Sequence, residues 1–378
     1  GKGGFIETSG FKHLGVDGIR VSTDAVNGQT GTWLLDPNDI TIVQTGGSGI
    51  SAGPNFVPSP PGGPSTVSAT TINAALLSTN VSIATDTAGA NIIFDTSGGN
   101  IFIAKANAGS ATLDLNAHQS INFTGGGSTN FQANNAGGGG NLTVNLNPGT
   151  GSVSTAAGNS VQVNTTNSGN TSSVVLKAGK TWNNSGTLTL NAAGTLKLHD
   201  GTGASTFNNA TGAFITGASA SNGGVGAVGT VGGTMQNDGT INFTQGAFKV
   251  ATYASTGGSL TNDNSVTITD SYSLTGGSFS PSGSLAITQN TGALNFGPGI
   301  GSNLTFSGPV SLAVAGGDLN LAGNLKTTAS GASGEINIKS TGAGNLLFTT
   351  SSLTTEGGGS ILVSALGTGT ITASAGSI

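Results

Sequence analysis

The sequence predicts an all-β protein, a parallel β-helix (β-solenoid) with very little helix. Glycine supplies 67 of the 378 residues, charged side chains supply only 7%, and short apolar alternations recur between Gly, Asn and Ser residues. An ordinary globular domain has about 7% glycine and about 25% charged residues, so a standard core under a charged surface is not expected. Disorder is not expected either, because apolar residues run through the chain and its mean hydropathy is slightly positive.

Composition divides the chain into three zones. Residues 1–43 hold five of the fifteen acidic and three of the ten basic residues, together with Trp33, and are predicted to supply one or two coils. Residues 44–72 contain five of the ten prolines, which predicts a loop or linker because a proline cluster does not fit inside a sheet. Residues 73–378 carry the alternations and are predicted to form the solenoid.

The alternations have the two-residue period of strands. The pairs are Val81 and Ile83, Ile101 and Ile103, Leu113 and Leu115, Leu142 with Val144 and Leu146, Leu188 and Leu190, Leu196 and Leu198, and Ile336 and Ile338. No convincing run has the helical spacing i, i+3, i+4, i+7, so little helix is expected.

A longer repeat lies above this alternation. It consists of an apolar residue, two polar residues, a small polar residue, glycine and a second apolar residue six positions on. Its anchors are Trp182, Phe207, Met235, Leu260, Phe279 and Leu304. A drifting period of about 19–28 residues suits a coil of two or three short strands, so the solenoid is predicted to have about 12 to 14 coils and a length on the order of 60 Å.

This architecture explains the composition. In a β-helix each coil pairs with the coils above and below it, so inward Val, Ile, Leu and Phe side chains stack in columns about 4.8 Å apart. Asn, Ser and Thr form ladders at the turns, and Gly takes the corners with positive φ. Like charges in one column would repel each other, which favours few charged residues. Both ends of the stack are sheet edges that must be capped or continued.

Composition also excludes several functions. Ten Lys and Arg residues, of which only Arg20 is an arginine, are too few to line a phosphate-binding surface, so no nucleic-acid partner is expected. Zero cysteines exclude disulfides and thiolate sites. No run approaches the roughly 18 apolar residues of a membrane-spanning helix. No basic and apolar leader is visible at Gly1, so the chain is expected to be a mature product or an excised segment.

Two motifs that resemble catalytic or cofactor sites are interpreted as coincidences of composition. Residues 49–53 match the nucleophile-elbow pattern, but Pro54 follows where that motif needs a helix. Residues 224–229 match a dinucleotide-binding fingerprint, yet no helix is expected there and no acidic residue follows until Asp238.

No metal site is predicted. His13, His118 and His199 are scattered, without a second ligand at metal-binding spacing. The string Gly316-Gly317-Asp318 approaches the calcium-binding repeat only once. The sequence therefore predicts no catalytic, cofactor-binding or metal-ligating residue, and no cofactor.

The enzymatic alternative is a β-helix polysaccharide lyase or hydrolase, whose site needs clustered Asp or Glu. After residue 43 only ten acidic residues remain, and the densest spots are Asp200 beside His199, and Asp263 near Asp270. A non-catalytic protein is therefore favoured. Nine Asn-x-Ser/Thr sequons occur, a number that this composition produces without selection, and glycosylation is left open.

The first zone resembles a block of the filamentous-haemagglutinin-type adhesins, which include the high-molecular-weight adhesins. The similarity lies in residues 3–10, Gly-Gly-Phe-Ile-Glu-Thr-Ser-Gly, and residues 31–42, Gly-Thr-Trp-Leu-Leu-Asp-Pro-Asn-Asp-Ile-Thr-Ile. The rest of the chain is similar only in style. The resemblance implies a right-handed parallel β-helix on a bacterial surface or in the medium, exported by two-partner secretion through an outer-membrane barrel. The N-terminal secretion domain of the family is not found in this sequence.

The same block also has a structural interpretation. The turn Asp36-Pro37-Asn38-Asp39 combines a proline that sets φ with side chains that bond to their own backbone. The predicted inward positions are Phe5, Ile6, Leu14, Val16, Ile19, Val21, Trp33, Leu35, Ile40 and Ile42.

Two further hypotheses accompany the enzymatic one. The favoured hypothesis is an extracellular adhesin-like stalk or fibre that binds a receptor or glycan on a host or neighbouring cell. The second is a structural filament subunit whose solenoids associate end to end by pairing of exposed coils.

Overall fold

The computed structural model confirms the predicted all-β parallel solenoid. It describes residues 3–10, 16, 18–25, 30–37, 39–46, 65–85, 88–217, 224–226, 232–297, 303–349 and 352–373. These residues contain 37 strands, one α-helix and one 3-10 turn, and the strands pair in parallel. In this part of the chain no helix is both long enough and apolar enough to cross a membrane. The chain forms two compact units, residues 1–205 and residues 206–378.

The first unit contains seventeen strands and the helix α1 (Ala69–Leu76) among its described residues. The strands are β1 (Phe5–Gly10), β2 (Thr32–Pro37), β3 (Ile40–Val43), β4 (Ser65–Ser68), β5 (Asn80–Ala84), β6 (Ile92–Asp95), β7 (Ile101–Lys105), β8 (Gly109–Ala117), β9 (Ile121–Thr124), β10 (Ser128–Ala133), β11 (Gly140–Pro148), β12 (Val153–Thr155), β13 (Ser160–Thr165), β14 (Thr171–Leu176), β15 (Thr181–Asn184), β16 (Thr187–Leu190) and β17 (Gly194–Lys197).

The second unit contains twenty strands and the 3-10 turn Gly331–Gly334 among its described residues. The strands are β18 (Thr206–Asn209), β19 (Phe214–Gly217), β20 (Gly224–Gly226), β21 (Thr234–Asn237), β22 (Thr240–Phe243), β23 (Ala247–Ser255), β24 (Ser259–Asn262), β25 (Ser265–Leu274), β26 (Ser278–Pro281), β27 (Ser284–Gln289), β28 (Leu294–Phe296), β29 (Asn303–Phe306), β30 (Val310–Val314), β31 (Leu319–Ala322), β32 (Asn324–Ser330), β33 (Ile336–Ser340), β34 (Leu346–Thr349), β35 (Leu353–Gly357), β36 (Ile361–Ala365) and β37 (Ile371–Ala373).

Each coil of the first unit has three sides, each formed by a strand. The column that passes through β5, β8, β11, β14 and β17 consists of Val81, Leu113, Val144, Val174 and Leu196 in direct register. Neighbours in this column lie about 22 to 32 residues apart in the sequence, and this separation is the coil length. Most of these coils are longer than predicted, because β8 and β11 each extend over nine residues.

Aromatic rings form part of the core of the first unit. Phe94 and Phe123 stack with ring centroids 4.8 Å apart, and Trp182 stacks on Phe123 at 5.9 Å. All three side chains are buried, and the indole Nε1 of Trp182 donates to Thr155 Oγ1 at 3.0 Å. The predicted alternation is therefore confirmed at these strands: one parity faces the core and the other faces out.

Coil length in the second unit varies because two strands bend. β23 pairs with β20 through Phe248 and with β21 through Thr252 to Ala254, so one strand covers two sides of the coil. β25 follows the same course along β23, with a register shift after Val250. The coils beside these bent strands are shorter, about 19 residues each, as the register of Ile241, Leu260 and Phe279 shows.

These bends correct part of the predicted long repeat. Phe207 pairs with Met235, and Leu260 pairs with Phe279, as the repeat requires. The link from Met235 to Leu260 was wrong, because Met235 pairs with Tyr253 on the bent strand β23. Successive copies of the repeat motif therefore lie at different corners of the coil, as Met235 and Leu260 do.

A tyrosine pair fills the core beside the bent strands. Tyr253 and Tyr272 stack with ring centroids 6.1 Å apart. Burial raises the pKa of Tyr253 to about 12, so its hydroxyl stays protonated and lies 3.2 Å from Asn237 Nδ2, from which it accepts a hydrogen bond.

The predicted loop over residues 44–72 is partly corrected. Residues 47–64 lie outside the described residues, but Ser65 to Ser68 form β4, which pairs with β3. Ser68 then caps α1, its Oγ accepting from Thr71 N at 3.2 Å. The proline cluster ends at Pro64, so the residues after it are free to form a strand and a helix.

The helix α1 covers the edge strand β7. Asn73 Nδ2 donates to Phe102 O at 2.8 Å, and Asn73 Oδ1 accepts from Ala104 N at 2.7 Å. Gln44 Oε1 accepts from Phe102 N at 2.6 Å. The side-chain amide of Asn73 thus makes the two hydrogen bonds that a neighbouring strand would make, and it caps this edge of β7.

The N-terminal block departs from the predicted inward pattern. Val16, Trp33, Leu35, Ile40 and Ile42 are buried as predicted, but exposed fractions of 66%, 39% and 42% for Phe5, Ile6 and Ile19 show that those predictions were wrong. β1 pairs in parallel register with β2, which pairs in turn with β5, so among the described residues β1 is the last strand on its side of the stack and has a coil on one edge only. Val21 is half-exposed. Leu14 and Asn38 lie outside the described residues, as do the side chains of Asp36 and Pro37.

We predict that Asn73→Ala uncaps β7. Removing both hydrogen bonds should lower the free energy of unfolding by about 1–3 kcal/mol and speed hydrogen exchange at the Ala104 amide. Asn73→Asp is the matched control, because it keeps the acceptor for Ala104 N and loses only the donor. Exchange measured by mass spectrometry over residues 101–105 checks this. Equal Ala104 exchange in the wild type and the Ala variant would contradict the cap.

Candidate functional site

The positions singled out in the sequence do not assemble into a metal centre. No group of three or more His, Cys, Asp or Glu residues within reach of one ion occurs in the described part of the chain. His118 and His199 lie on separate turns, and His13 lies outside that part. Residues 49–53 also lie outside it, whereas residues 224–226 form β20 and residues 227–229 are not described.

Asp200 is committed to a turn. Its Oδ1 accepts from Thr202 N at 2.9 Å, from Thr202 Oγ1 at 2.6 Å and from Gly203 N at 3.1 Å. Its Oδ2 accepts from Ala178 N at 3.2 Å and lies 3.8 Å from Lys177 Nζ. The Thr202 hydroxyl bond is the main cause that holds the pKa of Asp200 well below its usual range, and the carboxylate stays ionised.

The other acidic positions also have partners from the next coil. Asp263 Oδ1 accepts from Ser282 Oγ at 2.7 Å, and Asp270 Oδ1 accepts from Asn290 Nδ2 at 3.0 Å. Asp318 Oδ1 accepts from Asn345 N at 2.7 Å. These carboxylates act as rungs between coils.

Side-chain ladders of this kind cover one side of the first unit. We call the outward side chains of β8, β11 and β14 the ladder face. Asn145 Nδ2 donates to Asp114 Oδ1 at 2.6 Å, and Asn147 Nδ2 donates to Asn116 Oδ1 at 3.0 Å. Because an amide group both donates and accepts, such a column satisfies itself. The outer surface of these coils is bonded across strands with few charges.

Ion pairs contribute little to this surface. The described residues contain two salt bridges, Lys177 with Asp200 at 3.8 Å and Lys326 with Glu356 at 2.5 Å. An exposed pair such as Lys326 with Glu356 stabilises a protein by about 0–1 kcal/mol. Amide and hydroxyl ladders are therefore the main polar contacts between the side chains of neighbouring coils.

A cleft of about 710 Å³ opens beside the C-terminal end of α1. It is lined by Leu77 and Ser78, by the start of β8 and by the exposed Asp24. Lys105, which is only 2% exposed, is also one of its lining residues. Asp24 is the one carboxylate among these lining residues, so the cleft lacks the ligand set of a metal site.

Lys105 occupies a core-facing position. It continues the inward alternation of Ile101 and Ile103, and its Nζ donates to Ala108 O at 3.3 Å and to Asn107 Oδ1. Burial lowers the pKa of Lys105 below its ordinary value, and the charge of Asp24 opposes this shift. The ammonium thus binds the turn between β7 and β8. The sequence analysis missed this residue, although a lysine at the inward parity of a strand is a signal that could have identified it.

Searches of family models and of curated proteins found no match to this chain. The similarity of residues 1–43 to filamentous-haemagglutinin-type adhesins therefore stays a prediction from the sequence.

We predict that Lys105→Met changes how stability depends on pH. Because the pKa of Lys105 is lowered from 10.5 in the folded protein, the unfolded chain binds more protons between the two values. Raising the pH through that range should stabilise the wild type relative to the Met variant, and the relative gain should stop once the pH exceeds 10.5.

Chemical denaturation at a series of pH values measures this difference. Lys180→Met is the matched control, because Lys180 is half-exposed and its Nζ reaches Gly149 O at 3.1 Å. Parallel pH curves for the wild type and Lys105→Met would contradict a buried ammonium.

Proposed function

We propose that this chain is a segment of an extracellular adhesin-like protein, a non-catalytic stalk or fibre that mediates surface attachment or cell-cell contact. The observation that carries the proposal is the bonding between the outward side chains of successive coils. The ladder face pairs amides, hydroxyls and carboxylates from one coil to the next, as Asp114 with Asn145 and Asn141 with Thr171 do. Such a surface suits a scaffold that is built by repetition and works in contact with other surfaces.

The similarity of residues 1–43 to filamentous-haemagglutinin-type adhesins supports the same proposal. From it we infer a bacterial cell-surface or extracellular location and transit through an outer-membrane secretion barrel. The partner would be a receptor or glycan on a host or neighbouring cell. The carboxylates of Asp200, Asp263 and Asp270 already accept hydrogen bonds from neighbouring side chains of this chain. This favours the adhesin-like function over a polysaccharide lyase or hydrolase.

A filament subunit is the second candidate. The coil formed by β36 and β37 carries exposed apolar side chains: Leu362 is 49% exposed, Leu366 55% and Ile371 47%. Exposed apolar groups beside strand edges favour pairing with a further coil. End-to-end association through this coil would give a polymer.

We predict that the purified chain binds cells saturably while it sediments as a monomer. Labelled protein, flow cytometry and analytical ultracentrifugation measure the two properties. Regular polymers without cell binding would favour the filament subunit. Release of unsaturated sugar from an acidic polysaccharide would contradict both candidates.

If polymers form, Leu362→Lys with Leu366→Lys should dissolve them, because two charges on the exposed coil oppose its burial. Phe214→Lys is the matched control, since Phe214 is 46% exposed but lies on β19, away from the β36 and β37 coil in the sequence. Polymers that persist in the double variant would contradict association through this coil.

A further inference from the structure

A second side of the first unit carries amides that have no partner among the described residues. We give the name amide face to five of the outward side chains of β7, β10 and β13: Phe102, Asn130, Gln132, Gln162 and Asn164. Phe102, Asn130 and Gln162 lie in direct register on successive coils, and so do Gln132 and Asn164. The face therefore consists of two columns that follow the direction of stacking.

The amide face differs from the ladder face in its hydrogen bonding. The buried Oδ1 atoms of Asn130 and Asn164 have no partner, and the half-exposed side chains of Gln132 and Gln162 make no hydrogen bond within the described residues. A buried polar group without a partner costs about 1–3 kcal/mol. Equivalent amides on the ladder face are paired, so the stacking of coils does not itself leave amides unpaired.

Phe102 adds an aromatic surface to these amides. Its side chain points outward from β7 and is 40% exposed, whereas its neighbours Ile101 and Ile103 are buried in the core. Its backbone is held at the capped edge of β7, because its N–H donates to Gln44 Oε1 at 2.6 Å and its carbonyl accepts from Asn73 Nδ2 at 2.8 Å. The backbone that carries the exposed ring is thus held before any ligand arrives, which lowers the entropy cost of binding.

We propose that the amide face binds a neutral saccharide, whose ring stacks on Phe102 and whose hydroxyls bond to the amides of Gln132 and Gln162. The proposal rests on the proposed function and names its ligand class. A hydroxyl donates and accepts, as an amide does, so the two match without charge. The C–H face of a sugar packs on an aromatic ring.

The absence of charge on the amide face decides the ligand class. None of its five residues is ionisable, so an acidic or basic ligand would lose water without gaining an ion pair. Coils stack about 4.8 Å apart, and the register of Phe102, Asn130 and Gln162 lets consecutive units of one saccharide chain meet consecutive coils.

Calorimetric titration of the purified chain tests the proposal. The neutral probes are cellohexaose, maltohexaose and mannohexaose, and the acidic probe is a hyaluronan hexasaccharide. We expect at least one neutral probe to bind. Phe102→Ala and the double variant Gln132→Ala with Gln162→Ala should each weaken binding about tenfold. Asn141→Ala, on the ladder face, is the matched control and should bind as the wild type does.

Other outcomes would overturn the proposal. Failure of all three neutral probes would do so, as would equal affinity in the wild type and the amide-face variants, or stronger binding of the acidic probe. Thermal unfolding by circular dichroism shows whether each variant is folded.

Cell attachment separates this site from the proposed function. If a folded Phe102→Ala variant attaches to cells as well as the wild type does, the saccharide site is rejected and the adhesin function is retained. If the wild type binds a neutral probe but no cell, the adhesin function is rejected and the saccharide site is retained.

Discussion

Parallel, in-register stacking of coils is the constraint on which the rest of the structure depends. Strands of successive coils lie about 4.8 Å apart, so each residue meets its equivalent above and below. At some corners the backbones approach so closely that a side chain does not fit. A Cβ at Gly194 would lie 1.9 Å from Val163 O, and one at Gly149 would lie 2.0 Å from His118 O. Glycine at these two corners is therefore required by the neighbouring coil.

Much of the fold could be predicted because alternation records which side chains face the core. The pairs Val81 and Ile83 or Leu113 and Leu115 face inward as their period indicates. The coil boundaries could not be predicted in the same way, because β23 bends across two sides of its coil and the neighbouring coils are shorter. Composition gives no sign of such a bend. The helix α1 was missed because eight residues after a proline cluster show no long helical period.

The candidate sites were harder to predict, since they depend on partners from distant coils. The sequence shows Asn145 and Gln162 as similar polar residues on similar strands. In the structure Asn145 bonds to Asp114, whereas the side chain of Gln162 has no partner among the described residues. The residue in register one coil away is Asp114 for Asn145 and Asn130 for Gln162. Because the coils differ in length, the sequence alone does not show which residues lie in register on neighbouring coils.

The helix over β7 gives one side of the first unit a direction. Asn73 and Gln44 occupy the backbone groups of Phe102 and Ala104 that another strand would need. A repeat folds by pairing with the edge of its neighbour, so further coils can be laid down only on the opposite edge of β7. That edge receives β10 and then β13, in the order of synthesis. Winding on this side of the unit is therefore one-way from β7, whereas β5 and β6 of the same coil also pair with the earlier strands β2 and β3. A partly wound solenoid leaves the open edge of this sheet exposed to mispairing.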